Sequence, residues 1–327
     1  MIMSAPSLVS YLPASAYTPF GSEVFRGLTS RPKTLSPWLF YDAEGSRLFE
    51  KITALPEYYV TRTERKILAG YCNEMIAASG DGPLSLIELG AGTATKTGLL
   101  LRAALQAHGP LTYHAIDVSS SALEEAKRRI EADLPGVTVQ TCTADYTEGL
   151  GQIASSGERR MVLYIGSSIG NFDPPDALRL LKEIRAVLEP GDSILLGVDL
   201  VKDRQVLLDA YDDAAGITAA FNKNVLQRIN RQLGSNFNLQ LFRHRSRWNE
   251  EQSRIEMHLE SLITQFVYIP DLDLEVRLAR GETIHTENSY KFTVELATGM
   301  LNRAGFDVVK CWSDPRGWFG EFLGIAR

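Results

Sequence analysis

Short apolar runs alternate with amphipathic helical patterns through the middle of the chain. A short apolar run indicates a buried strand, and apolar residues spaced three or four apart indicate a helix. The strands predicted in this way cover 84–89, 112–118, 137–142, 161–166 and 193–199, and the helices cover 96–108, 122–132 and 177–188. This regular alternation predicts an α/β fold with a Rossmann-like parallel sheet.

The end of the chain departs from that alternation. A helical pattern covers 291–303, and two closely spaced apolar runs follow it at 307–312 and 320–326. Parallel neighbours need a long crossover, so two strands this close together must pair in an antiparallel way. We therefore predict a seven-stranded sheet whose last strand is reversed, an arrangement that a dinucleotide-binding domain lacks.

Two other regions surround this core in sequence. Residues 1–30 carry three prolines and predict an extended arm, and two helices follow, the second capped by Thr61 or Thr63 and ending near Ala78. A long helix is predicted over 204–233, followed by antiparallel strands at 239–248, 254–263, 265–269 and 274–278.

These regions predict two domains. We expect a cofactor-binding core made of 64–200 and 291–327, and an α+β substrate-binding lid made of 1–63 and 201–290. A small molecule is expected between them, because clefts between domains are favoured binding sites.

Composition limits the possible functions. The 327 residues are 44% hydrophobic and 23% charged, and the net charge of −6 argues against nucleic acid as a partner. Neither a membrane segment nor a secretory signal is expected. Three widely spaced cysteines are typical of reduced core thiols in a cytoplasm, and the five histidines lack the spacing of a metal site.

A glycine-rich loop follows the first predicted strand, with Glu88 two residues before Gly90 and Gly92. Thr95 stands where the dinucleotide fingerprint needs its third glycine, and Asp117 ends the next strand, where a carboxylate can bind two ribose hydroxyls. The loop resembles motif I of class I S-adenosylmethionine-dependent methyltransferases. An ordinary strand-to-helix turn is the alternative explanation.

Further motifs occur in a fixed order, namely FYD from 40, LPEYY from 55, ELGAGT from 88, GSSIGNF from 166, AYDDA from 210 and ENSYKF from 287. Together they resemble the histidine-specific Nα-methyltransferases of ergothioneine biosynthesis, from about Ser36 to the C-terminus. The resemblance implies a class I methyltransferase fold and a monomer. It also implies trimethylation of L-histidine to hercynine by three molecules of S-adenosylmethionine, with no metal.

The resemblance also implies roles for individual residues. Cofactor binding is implied for Phe49, Glu88, Gly90, Gly92, Lys96, Asp117, Asp145, Tyr146 and the Gly166 backbone. In the substrate site, Asn171 and Tyr211 are implied to bind the carboxylate, and Tyr41 to lie beside the amine. The imidazole is implied to contact Tyr58, Met257, Glu287 and Ser289. Tyr41 and Asn171 are the candidate catalytic residues.

Five of these residues also have a structural explanation. A core role is the default for Tyr41, Tyr58 and Met257, a turn role for Asn171, and a helix-capping role for Glu287 with Asn288. Two other functions stay open. One is methyl transfer to tryptophan or another aromatic amino acid, and the other is a non-catalytic module that binds the cofactor or an amino acid.

Overall fold

The computed structural model describes residues 13–144, 146–151 and 157–327. Its helices are α1 Pro19–Thr29, α2 Ala43–Thr53, α3 Tyr59–Ala78, α4 Gly98–His108, α5 Ser120–Asp133, α6 Tyr146–Gly151, α7 Pro174–Ala186, α8 Arg204–Tyr211, α9 Ile217–Leu233 and α10 Val294–Ala304. Its strands are β1 Lys33–Thr34, β2 Leu84–Leu89, β3 Leu111–Asp117, β4 Val137–Thr143, β5 Arg159–Tyr164, β6 Ser193–Asp199, β7 Phe242–Asn249, β8 Arg254–Ser261, β9 Gln265–Ile269, β10 Leu274–Leu278, β11 Thr283–Tyr290, β12 Phe306–Ser313 and β13 Phe319–Ala326.

A seven-stranded sheet forms the larger layer, in the order β12-β13-β6-β5-β2-β3-β4. Strand β13 is antiparallel to both of its neighbours, whereas β6, β5, β2, β3 and β4 are parallel. The prediction of a reversed last strand is confirmed. Strand order reverses between β2 and β5, and in open α/β sheets ligands bind beyond the carboxyl ends of the strands at such a point.

A four-stranded sheet, in the order β1-β11-β8-β7, and the β9-β10 hairpin form the rest of the β structure described here. A short parallel bridge between Leu200 and Phe292 connects the end of β11 to the end of β6. Two backbone hydrogen bonds of 2.9 Å support it, from Phe292 to the Asp199 carbonyl and from Val201 to the Phe292 carbonyl. The two sheets are therefore joined through their backbones.

Several predictions about the flanking regions are wrong. Pro19–Thr29 is helical, because the Thr18 side chain caps the Gly21 amide and Pro19 suits the first helical turn. Helix α3 begins at Tyr59, before either threonine predicted to cap it. The long helix predicted over 204–233 is two helices, separated at Gly216, whose φ is +72°.

Two further findings concern Asp213 and the cysteines. Asp213 is buried, and its carboxylate accepts hydrogen bonds from the amides of Ile217 and Thr218 at 3.0 and 2.7 Å, at the start of α9. The three cysteines form no disulfide; Cys311 is exposed and the other two are half-buried, which contradicts their prediction as core thiols. Within the described ranges, no helix is long and apolar enough to cross a membrane.

Candidate active site

A cavity lies against the loop after β5, the N-terminal aromatic residues and strand β11. It is lined by Tyr41, Phe49, Ile52, Tyr58, Val60, Gly166, Ser167, Ser168, Asn171, Ala210, Tyr211, Thr218, Phe221, Met257, Glu287 and Ser289. The structure therefore brings together every residue that the sequence assigned to the substrate, along with Phe49 and Gly166. These residues come from five separate stretches of the chain.

One wall of the cavity is aromatic. The Tyr41 ring contacts Phe49 and Phe221 edge-on, with centroids 5.8 and 5.7 Å apart, and Tyr58 contacts Phe49 and Tyr211 at 6.3 Å each. Offset and edge-on pairs of this kind are favourable and hold ring orientations. Burial raises the phenol pKa of Tyr41, Tyr58 and Tyr211 well above the ordinary value, so these hydroxyls stay neutral hydrogen-bonding groups.

The opposite wall is strand β11, which the sequence patterns did not predict. Alternate residues of a strand share a face, so Glu287 and Ser289 point the same way, and Lys291 just past the strand end follows them. The register shifts between His285 and Glu287, and this β-bulge places Glu287 opposite Met257 of β8. Glu287 lies within a strand, so the alternative that it caps a helix is wrong.

Glu287 is an ionisable side chain that is buried in the wall of the cavity. Burial raises the pKa of its carboxyl to about 7, and the positive charge of Lys291 opposes that shift. A carboxyl with a pKa near neutrality in a cavity is a candidate ligand-binding or proton-transfer group.

A buried polar network lies behind the β11 wall. The Tyr211 and Ser289 hydroxyls are 2.6 Å apart, and the Lys291 ammonium donates to both, at 2.9 and 2.7 Å. Lys291 also pairs with Asp199 at 2.9 Å, and Lys202 binds the other Asp199 oxygen. Burial alone would raise the pKa of Asp199, but the two lysine charges outweigh it and hold that pKa below its ordinary value.

The loop after β5 forms the floor of the cavity. Gly166 has φ of +82° and Ser167 has φ of +60°, a left-handed conformation that is uncommon for serine and occurs often at functional sites. The Ser167 hydroxyl accepts the Asp199 amide at 2.9 Å. The Gly166 amide donates to the fully buried carboxylate of Glu64, which also pairs with Lys96.

The glycine loop after β2 lies at the same edge of the sheet. Gly90 and Gly92 have φ of +72° and +51°, and a side chain at Gly90 would come within 3.1 Å of the Tyr146 hydroxyl. Asp117 accepts the Gly92 and Ser119 amides, each at 2.8 Å. A Cβ at Gly166, which lines the cavity, would come within 3.4 Å of the ammonium of Lys96 just after this loop, so the loop ends beside the cavity.

Glu88 lies beneath the loop. Its carboxyl accepts hydrogen bonds from Thr97, at 2.7 and 2.8 Å, and from Tyr113. Burial raises its pKa to about 7 despite these donors. In this structure Glu88 therefore anchors the start of α4 and strand β3. Asp145, the residue predicted beside the adenine, lies outside the described residues.

Sequence reasoning assigned no role to Lys291, Glu64 or Phe221. Lys291 follows Glu287 and Ser289 at the two-residue spacing of a strand, but that spacing indicates a shared face only once strand β11 is known. Glu64 follows Val60 by four residues, which places it on the buried face of α3. Among the described residues, no group of three or more His, Cys, Asp or Glu side chains could hold a metal ion.

Comparisons with known proteins agree with this geometry. The family described as "Histidine-specific methyltransferase, SAM-dependent" matches residues 20–325. A relative from Mycolicibacterium smegmatis, named Histidine N-alpha-methyltransferase, is 46% identical over 98% of this chain and 99% of its own length. One of the same name from Mycobacterium tuberculosis is 42% identical over 92% of this chain and 93% of its own. Ergothioneine biosynthesis protein 1 from Neurospora crassa is 33% identical over 86% of this chain and 32% of its own length.

The reversed strand β13, with the glycine loop after β2 at the switch point, defines a class I S-adenosylmethionine-dependent methyltransferase fold. The chain belongs to the histidine-specific, S-adenosylmethionine-dependent methyltransferase family, since the family match spans nearly all of it.

Proposed function

We propose that this protein transfers methyl groups from S-adenosylmethionine to the α-amino group of L-histidine, three times in succession, to give hercynine. This is the first step of ergothioneine biosynthesis. The observation that carries the proposal is the cavity in which Glu287, Ser289, Asn171 and Tyr211 meet beside the glycine loop. The family match and the names of the relatives support it.

The residues after β2 fit the methyl donor. A Cβ at Gly92 would meet no described atom within 4 Å, so the loop faces open space. Asp117 at the end of β3 offers carboxylate oxygens to a ribose diol, and Tyr146 offers a ring face beside Gly90. Lys96 offers a cation next to Gly166. We assign Phe49, Glu88, Gly90, Gly92, Lys96, Asp117, Asp145, Tyr146 and Gly166 to this site.

The acceptor site combines neutral donors with one carboxylate. The Asn171 amide and the Tyr211 phenol suit the substrate carboxylate, because both donate hydrogen bonds without adding a charge. Glu287 suits a ring N–H of the imidazole, with Ser289, Tyr58 and Met257 around the ring. A site built to hydrogen-bond a polar ring rejects a ring that lacks those groups by roughly 10⁴-fold or more.

The chain's contribution to the reaction is orientation. When bound, S-adenosylmethionine would supply an electrophilic methyl group, and its carbon–sulfur electron pair would leave with sulfur. Before each of the three transfers the substrate ammonium must lose one proton, so that a neutral amine faces the methyl group in line; the third transfer then gives a quaternary ammonium. Tyr41 lies beside the proposed position of the amine, and Asn171 orients the amine indirectly by binding the substrate carboxylate; both residues line the same cavity as Gly166. Correct placement of two reactants contributes roughly 7–11 kcal/mol to catalysis in favourable cases. Tyr41 stays neutral, so it accepts or relays hydrogen bonds of the amine.

Residues 64–200 and 291–327 are proposed as the cofactor-binding core, and residues 1–63 and 201–290 as the substrate-binding lid. Phe49 of the lid also borders the donor site, and Asn171 of the core also contributes to the acceptor site. We also propose a monomer, because one chain supplies every residue assigned to the cavity, and a cytoplasmic enzyme without a metal. The three cysteines form no disulfide, which suits a reducing compartment.

The test is mass spectrometry of the purified protein with S-adenosylmethionine and a panel of amino acids. Successive gains of one, two and three methyl groups on histidine alone are expected. Transfer to tryptophan with none to histidine would show that the acceptor is wrong. Ligand binding without any transfer would show that the protein is a non-catalytic module.

A further inference from the structure

Lys291 is fully buried directly behind the substrate cavity, and it contacts two of the residues that line it. We propose that Lys291 is a positioning residue of the acceptor site, which fixes the hydrogen-bond directions of Tyr211 and Ser289. The inference rests on the proposed function, because it concerns how the same cavity binds an amino acid.

The hydrogen bonds of Lys291 use every proton that it has. Its ammonium carries three, and the three acceptors are Asp199 Oδ2 at 2.9 Å, Tyr211 Oη at 2.9 Å and Ser289 Oγ at 2.7 Å. An ammonium accepts no hydrogen bond. Tyr211 and Ser289 must therefore both accept from Lys291, and neither can turn its own proton back toward it.

That constraint determines what the cavity offers to a ligand. The Tyr211 and Ser289 hydroxyls have one proton each, and the 2.6 Å bond between them uses one of the two. The other proton must point away from both Lys291 and its neighbouring hydroxyl, toward the cavity that both residues line. Lys291 thus guarantees one directed donor for an acceptor atom of the substrate.

The charge of Lys291 acts on Glu287 as well. Tyr41, Tyr58 and Tyr211 face Glu287 from the other elements around the cavity, and all three are neutral phenols. Lys291 provides the positive charge that lowers the pKa of Glu287 against the effect of burial. Without that charge, the Glu287 carboxyl would hold its proton to higher pH, and the neutral acid would accept an imidazole N–H only through its carbonyl oxygen, without the strengthening effect of a negative charge.

Lys202 offers a matched control for Lys291. Both side chains are almost completely buried, and each pairs with one oxygen of Asp199. Lys202 makes its remaining contacts with Tyr59 and the Leu200 carbonyl. A change at Lys202 therefore disturbs the same buried carboxylate without removing a partner of Tyr211 or Ser289.

The experiment compares Lys291→Met with Lys202→Met in steady-state assays of histidine methylation. Loss of a charged hydrogen-bond donor is expected to raise the histidine KM of Lys291→Met about tenfold or more relative to Lys202→Met. Binding of S-adenosylmethionine, measured by calorimetry, should change little in either variant and also reports that each is folded. Equal effects of the two substitutions on the histidine KM would overturn the proposal.

A pH profile separates positioning from a general loss of structure. The pH below which histidine binding is lost should be higher in Lys291→Met than in the wild type, and unchanged in Lys202→Met. An unchanged pH profile in both variants would refute the effect of the Lys291 charge on Glu287. If Lys291→Met does not fold, the double variant Asp199→Asn with Lys291→Met removes both charges of the buried pair. The histidine KM of this double variant is then compared with that of Lys202→Met. If the wild-type protein methylates no histidine, the proposed function fails, independently of this outcome.

Discussion

Replacing Glu287 by glutamine is expected to stabilise the ligand-free protein at alkaline pH while weakening histidine binding. The carboxyl has a pKa of about 7 in the folded protein and an ordinary value of 4.5. Because the folded state holds the proton more tightly, ionisation favours unfolding. The resulting loss in the free energy of unfolding is absent below pH 4.5 and complete above pH 7. It reaches roughly 3 kcal/mol there, at 1.36 kcal/mol per pKa unit.

The assay is chemical denaturation of ligand-free protein at pH 5 and pH 8, with Glu287→Gln and the exposed Glu250→Gln as the control. We compare the free energy of unfolding of Glu287→Gln with that of the wild type at each pH. This difference should be about 2–3 kcal/mol larger, in favour of the variant, at pH 8 than at pH 5. Histidine affinity should fall about tenfold or more, since a charge-assisted hydrogen bond is lost. A pH-independent difference in stability, or the same pH dependence in the control, would refute the assignment of a raised pKa.

Three further predictions concern other parts of the site and fold. Asp117→Ala should weaken S-adenosylmethionine binding about tenfold or more and leave histidine binding intact in calorimetry; unchanged cofactor affinity would refute the ribose assignment. Asn171→Asp keeps the shape of the side chain but places a negative charge by the proposed substrate carboxylate, so the histidine KM should rise at least tenfold. An unchanged KM would place the substrate carboxylate elsewhere. Asp213→Ala should lower the free energy of unfolding by about 1 kcal/mol, because two amides at the start of α9 lose their acceptor. The control Asp212→Ala should have little effect, and equal effects of the two substitutions would contradict a capping role for Asp213.

The strands of the large sheet were predictable because burial on both faces leaves a plain apolar signal. Leu84–Leu89 and Ser193–Asp199 were predicted to the residue, and both strands are buried along their whole length. The reversed strand was predictable because a short connection permits only antiparallel pairing. Helix ends were less accurate, since Tyr58 ends the preceding loop without a capping side chain.

Strand β11 could not be predicted from its pattern. The face that a pattern search expects to be apolar carries Glu287 and Ser289, and Lys291 follows them into a fully buried position. These polar residues are buried because they bind one another and line the cavity, and such exceptions to binary patterning are expected at functional sites. The family resemblance named Glu287 and Ser289, but the network with Lys291 and Asp199 depends on contacts between distant parts of the chain.

The backbone bridge between Leu200 and Phe292 has a consequence for how such enzymes diverge. It ties the strand that carries Glu287 and Ser289 to the end of β6, so in the proposed site main-chain atoms set the distance between the acceptor and donor regions. Side chains along β8 and β11 can therefore change without moving the point where the methyl group is delivered. Substrate choice and chemistry are then free to evolve separately on one scaffold.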